Sequence, residues 1–190
     1  RDPPARRRHF EYLTHNEPDV TGMPLATDRG VYAVADAVRY VSLNDLPVDF
    51  TRVTLQAQQY IPFRHGHNVF AIREYLAMSH TGDGMVPLYM LPALGGAYTL
   101  RGFHLFRFRD RHAAMVNVEY RWQVWLFADL ALFADAGQVH TDLNEFSIDD
   151  WHSSYGGGVR LRAGRIGIAR GDVAWSKEGM QVHLILSSKF

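Results

Sequence analysis

The amino-acid sequence predicts an all-β protein built as an antiparallel transmembrane β-barrel of about eight strands. Three observations carry this. Apolar residues recur at every second position along most of the chain, and no segment keeps a 3.6-residue period over three turns. The alternating segments also set a purely aliphatic face against one that mixes aromatics with charges. The expected strands are 30–44, 50–63, 68–80, 111–121, 123–138, 154–163, 165–176 and 180–190, with turns at Pro47, His65-Gly66-His67, Ala163-Gly164 and Glu178-Gly179.

Residues 1–29 hold four of the eight prolines, Pro3, Pro4, Pro18 and Pro24, and read as an irregular N-terminal arm or loop. Arg6-Arg7-Arg8 lead into His9-Phe10-Glu11-Tyr12 without the apolar run of a secretory or twin-arginine leader, so the chain is expected to be a piece of a longer protein. The first strand, 30–44, alternates poorly. In the second, Val53, Leu55, Ala57, Ile61 and Phe63 oppose Arg52, Thr54, Gln56, Gln58 and Tyr60. In the third, Glu74 interrupts the apolar set of Phe70, Ile72, Leu76 and Met78, which suggests an interfacial position or a bulge. Residues 81–110 form a thirty-residue connection without a clear strand, and loops of that length are usually functional. A second long connection spans 139–153.

The alternation is clearest at 124–137, where Val124, Leu126, Ala128, Leu130, Leu132, Ala134 and Ala136 oppose Trp125, Phe127, Asp129, Ala131, Phe133, Asp135 and Gly137. A soluble barrel would bury the aliphatic face and leave those aromatics wet. A membrane barrel turns the aliphatic face to lipid and the mixed face to a lumen. Composition is compatible with this reading. Twenty basic residues balance twenty acidic ones, which removes the electrostatic case for nucleic acid. The absence of cysteine excludes disulfides, thiolate metal sites and cysteine nucleophiles. Mean hydropathy is −0.19, and the longest uncharged stretch, Gly84 to Leu100, carries Pro87 and Pro92, so no helical span is expected.

The run Leu94-Gly95-Gly96-Ala97-Tyr98-Thr99-Leu100-Arg101-Gly102-Phe103, then Asn117-Val118-Glu119-Tyr120-Arg121, Phe133-Ala134-Asp135-Ala136-Gly137, Ser154-Tyr155-Gly156-Gly157-Gly158-Val159-Arg160, Arg170-Gly171-Asp172 and a terminal Phe190 resembles the bacterial surface antigen family. This is the outer-membrane barrel of BamA, TamA and the two-partner secretion transporters. The resemblance covers about 30–190 and implies the C-terminal half, strands nine to sixteen, of a sixteen-stranded barrel. It places the Arg-Gly-Phe loop in the lumen, between the eleventh and twelfth strands. It further implies a non-enzymatic role in protein insertion or translocation at the bacterial outer membrane. The implied partners are lipid, client outer-membrane or secreted polypeptides and the missing N-terminal half of the barrel.

On the loop, Gly95 and Gly96 permit a tight, close-approaching backbone, and Gly102 permits positive φ beside Phe103. Arg101, following Leu100, offers a planar fork that Asp135 can accept bidentately, with Phe133 adding a cation–π contact. Glu119 and Arg121 are the expected neighbours. The last strand, with Val182, Leu184, Leu186 and Phe190 on one side, resembles a barrel-targeting signal and leaves an unpaired edge suited to strand addition.

Other features read as structural. His65 and His67 sit at a turn without a ligand set, and no metal or cofactor is expected. Asp129 and Asp135 stand roughly 20 Å apart along a strand, too far for paired-carboxylate chemistry. Tyr40, Tyr60, Tyr120, Trp122, Tyr155 and Trp175 are candidate girdle aromatics. The competing readings are a soluble ligand-binding β-barrel and a membrane anchor for an upstream lipase domain.

Overall fold

The computed structural model of the chain describes residues 7–12, 29–42, 47–63, 67–82, 84–163 and 166–186. Its strands are β1 (Arg7–Tyr12), β2 (Gly30–Val41), β3 (Asp49–Phe63), β4 (Asn68–Thr81), β5 (Ala93–Leu94), β6 (Phe108–Arg109), β7 (His112–Trp125), β8 (Ala128–His140), β9 (His152–Ala163), β10 (Ile166–Ser176) and β11 (Gly179–Leu186). Nine of them form one antiparallel sheet in the order β1-β2-β3-β4-β7-β8-β9-β10-β11, while β5 and β6 pair inside the long connection between β4 and β7. Each main strand therefore pairs with its sequence neighbour, and β1 and β11 are the two edges.

The period-two pattern becomes a division between faces. On the face covered by the long connection, Gln58, Arg73, Glu119, Arg121, Asp135, Arg160 and Asp172 are buried. On the opposite face Leu55, Ile61, Leu132, Leu161, Val182, Leu184 and Leu186 are exposed. This inverts a water-soluble barrel, in which charges face out and aliphatic residues in.

The ends differ too. At one end β7 and β8 are joined by the two-residue turn Leu126-Phe127, and β9 and β10 by residues 164–165. At the other end lie the connections 82–111 and 141–151, the latter carrying a 3-10 turn at Leu143–Glu145 closed by a capping box between Asp142 and Glu145.

Several expectations are corrected. Within the 1–29 arm, Arg7–Tyr12 is a strand paired in register with β2. Without it the backbone N–H and C=O groups along that edge of β2 would be unpaired. The expected strand 123–138 begins instead at Ala128: Trp125 ends β7, and Leu126 and Phe127 turn. The alternation runs straight through this turn, which has no glycine, proline or asparagine, and a register shift between Gln123 and Trp125 absorbs the mismatch. Trp125 and Phe127 therefore stack on each other at the exposed tip, with centroids 6.4 Å apart, rather than packing on the inner face.

Glu74 needs no bulge. The register passes it unbroken, and it stays on the outer face between Ala57 and Val116. Tyr60 is not a girdle residue, being buried and donating to Gln58 Oε1 at 2.8 Å. Tyr40 also faces inward, stacked on buried Phe50. The outward aromatics are Tyr120 and Trp122, near the short-turn end, and Tyr155 and Trp175, which stack near the long-loop end. His65, Gly66 and Phe190 lie outside the described residues.

Candidate functional site

The connection between β4 and β7 folds back onto the inner face of the sheet, and its own sequence determines how. Gly95 and Gly96 have φ of +116° and +90°, values that L side chains rarely adopt. The Thr99 hydroxyl closes this turn, accepting from Gly95 N at 2.7 Å and donating to Gly95 O at 2.9 Å. Leu94, Leu100 and Phe103 then point into the sheet, where they form a fully buried cluster with Ala113 and Met115 of β7. Burial of each large side chain is worth about 2 kcal/mol. Phe103 meets Phe108 edge to face, with centroids 4.9 Å apart, and Phe108 stacks on His152 at 3.9 Å.

Gly102 is required for a different reason from the expected one. Its φ is not positive; instead a Cβ there would stand 2.5 Å from Ser154 Cβ and 2.9 Å from Trp175 O. The backbone at this point is pressed against β9 and β10, and only a residue without a side chain fits.

That approach delivers Arg101 to the wall. Its Nη2 donates to Asp135 Oδ1 at 2.6 Å, its Nε to Asp135 Oδ2 at 2.9 Å, and its backbone N to the same Oδ2 at 3.1 Å. Nη1 reaches Glu119 Oε2 at 2.7 Å. The guanidinium carbon lies 3.4 Å from the centroid of the Phe133 ring, a stacked cation–π geometry. Arg101 is 3% exposed. Burial alone lowers its pKa, but the carboxylates of Asp135, Glu119 and Asp172 more than reverse that, leaving it above the ordinary arginine value.

The network extends beyond the residues singled out in the sequence. Glu119 accepts from three guanidiniums: Arg101, Arg121 Nε at 2.6 Å and Arg160 Nη2 at 2.7 Å. Asp172 accepts from Arg160 and from Arg170 Nε at 2.7 Å. Asn117 Nδ2 links Asp135 Oδ1 at 2.9 Å to the Thr99 carbonyl at 2.7 Å. A Cβ on Gly156 would stand 2.5 Å from Phe133 Cζ, so the glycine makes room for the ring that supports Arg101. Arg160, Asp172, Asn117 and Gly156 belong to the recurring motifs of the resemblance, but no local pattern shows that they converge. They come from different strands, and only the register across β7, β8, β9 and β10 brings them together. Asp129, too far from Asp135 for paired-carboxylate chemistry, lies 3.4 Å from Arg162 Nε.

The loop is also tied to the last hairpin. His183 Nε2 of β11 donates to the Arg101 carbonyl at 2.7 Å, and the Ser176 hydroxyl of β10 donates to the Gly102 carbonyl at 2.6 Å. Neither His183 nor Ser176 was a sequence candidate. Arg101 thus binds β7 and β8 through its side chain and β11 through its backbone. Val182, Leu184 and Leu186 of β11 face outward and are exposed. This constellation contains paired charges, apolar packing and backbone acceptors, and is suited to holding a loop on a wall.

The comparisons agree with this geometry. A family model described as the Omp85 superfamily domain matches residues 29–185. The chain belongs to the Omp85 superfamily. A search of curated proteins found no match. Among solved structures, the chain is similar to that of BamA from Haemophilus ducreyi lacking POTRA domains 1–3, with a TM-score of 0.67 and 18% sequence identity. The match covers 91% of this chain and 39% of that one, so the chain spans well under half of the BamA structure. At this identity the likeness concerns the fold: an antiparallel barrel wall, of which this Omp85 chain spans a part.

Proposed function

We propose that this chain is the C-terminal half of an outer-membrane barrel that inserts or translocates polypeptides. In this reading the Leu100-Arg101-Gly102-Phe103 loop is locked in the lumen, and β11 forms one side of a seam completed by the N-terminal half of the barrel. The observation that carries the reading is the inversion of the two faces, with the loop held by Arg101 on the charged side and an aliphatic surface on the other. Such a surface is suited to lipid and would be costly in water. The unpaired β11 edge presents backbone donors and acceptors that another strand can complete, with Val182, Leu184 and Leu186 supplying an apolar outer row. Phe190 belongs to the same proposed terminal signal.

The reading draws on no catalytic constellation among the described residues. Its action is mechanical: a loop pins several wall strands to each other, and a strand edge templates another strand. These 190 residues hold no cysteine, so once any cysteine elsewhere in the longer protein is replaced by serine, an introduced one reports on a single position. Single cysteines at Val182 or Leu184 of the full-length protein, reconstituted in lipid vesicles, are expected to crosslink to a cysteine-bearing client barrel while that client folds. Folded protein that neither accelerates client insertion or translocation nor crosslinks through β11 would overturn the proposal.

A further inference from the structure

Beside the Arg101 lock, on the same inner face, lies a small cavity of about 10 Å³ lined by Arg73, Ala97, Tyr98, Thr99, Arg101, Asn117 and Arg170. That is room for roughly one small occupant, on the scale of a water or a monatomic ion. Three of the seven lining residues are arginines and none is a carboxylate.

The arginines are not equivalent. Arg101 is neutralised by Asp135 and Glu119, and Arg170 by Asp172. Arg73 is 5% exposed, and no carboxylate lies within salt-bridge distance of it among the described residues. Its Nη1 donates to the Tyr98 carbonyl at 2.7 Å, whereas its buried Nε has no hydrogen-bond partner. The nearby acceptors are already engaged: the carbonyls of Ala97, Tyr98 and Thr99 receive Arg170, Arg73 and Asn117 respectively.

The shortage of acceptors extends to the next strand. Gln58 is in register with Arg73, and its Nε2 is also buried without a partner, as is Gln56 Nε2. All three unpartnered atoms are donors. The carboxylates of the lock are engaged elsewhere: Glu119, Asp135 and Asp172 pair with Arg101, Arg121, Arg160 and Arg170. A buried cation without a counter-charge carries a large desolvation penalty, and a negative group in the cavity removes it.

We propose that this cavity is a binding site for one small inorganic anion of halide size, held chiefly by Arg73 with Arg170 and Arg101 completing its cationic wall. The anion is a structural counter-ion. It joins β4, through Arg73, to the loop segment 97–101 and so supports the loop on the side away from Asp135. A monatomic anion such as chloride or bromide is on the scale of the cavity's volume, and an organic anion such as gluconate exceeds it.

The test uses the full-length protein folded in detergent, with its heat-induced unfolding followed by gel mobility. Sodium chloride is titrated against sodium gluconate at constant ionic strength. The expected result is a saturable rise of the midpoint in chloride, roughly 3 °C or more when chloride is in hundredfold excess over its Kd, and none in gluconate. Arg73→Gln should abolish the chloride dependence while the variant still migrates as a folded barrel. Independently of any variant, crystals grown in bromide should show an anomalous peak between Arg73, Tyr98 and Arg170. Equal midpoints in the two salts, a chloride effect unchanged in Arg73→Gln, or a bromide-free cavity occupied by water or by a carboxylate from elsewhere in the longer protein would each overturn the proposal.

Discussion

The two faces of β8 follow opposite rules within one strand. On the inner face Asp129, Phe133 and Asp135 are buried, and the carboxylate of Asp135 is saturated by Arg101 and Asn117. On the outer face Leu132 is 55% exposed, and the residues flanking it across the sheet are Tyr120 and Gly157. Inside, the buried polar groups of the lock are tolerated because they meet partners, Arg73 Nε being the exception beside it; outside, apolar groups are tolerated only if the solvent is itself apolar. The stability of the inner face is therefore a matter of completeness, and that of the outer face a matter of environment. Changes to the two faces should respond differently to the medium.

The largest effect is expected at Arg101. Arg101→Ala strips Asp135 of its counter-charge, leaving only the backbone N of residue 101 and Asn117 as donors, and removes one of the three guanidiniums on Glu119, at a cost of about 3–5 kcal/mol. Arg101→Lys keeps the charge but not the planar fork or the stacking on Phe133, and should recover only part of that loss. Urea unfolding of the full-length protein, in detergent and in vesicles, measures both; the loss should be nearly the same in either medium. A cost below ~0.5 kcal/mol for Arg101→Ala would mean that the lock contributes little to holding the loop.

Next is Leu132→Arg, on the opposite face of the same strand. A charge on a lipid-facing position costs roughly 2–4 kcal/mol near the bilayer midplane and much less near the interface. The cost should appear in vesicles of long-chain lipid and shrink in small detergent micelles, a dependence that Arg101→Ala should lack. Equal behaviour of the two variants in both media would erase the distinction between the faces.

How much of this was legible in the sequence follows the range of the interactions. Alternation is local, so the strands and the inward set Glu119, Phe133 and Asp135 could be read directly. The β7–β8 turn escaped because Leu126-Phe127 carries no turn residue and continues the apolar alternation, leaving the register shift at Gln123–Trp125 invisible. Strand β2 escaped clear recognition for the reverse reason: Ala33, Ala35 and Ala37 oppose Tyr32, Val34 and Val38, so its two faces differ little in polarity. Arg160, Asp172 and His183 are within reach of Glu119 and Arg101 only through pairings that span two to four strands, and no local pattern encodes such distances. Gly102 shows a subtler limit. The need for glycine could be read, but whether it reflected positive φ or close approach depended on where β9 and β10 lie.

The smallest effect, and the one of opposite sign, is expected at Glu74. It is the exception on the outer face: a carboxylate in the middle of β4, between Ala57 and Val116, whose buried Oε2 has no hydrogen-bond partner. On the inner face such a group would be matched by an arginine, but here the cross-strand neighbours offer only methyl groups. Replacing it by leucine removes an uncompensated polar group and extends the apolar surface of Ile72 and Leu76. Glu74→Leu should therefore stabilise the barrel in vesicles by roughly 1 kcal/mol, since acidic residues on the lipid face cost less than basic ones. The urea midpoint is expected to rise in lipid and to stay almost unchanged in detergent. A fall in stability would show that Glu74 has a polar partner in the assembled membrane protein, and would move this position from the lipid-facing surface to an interface.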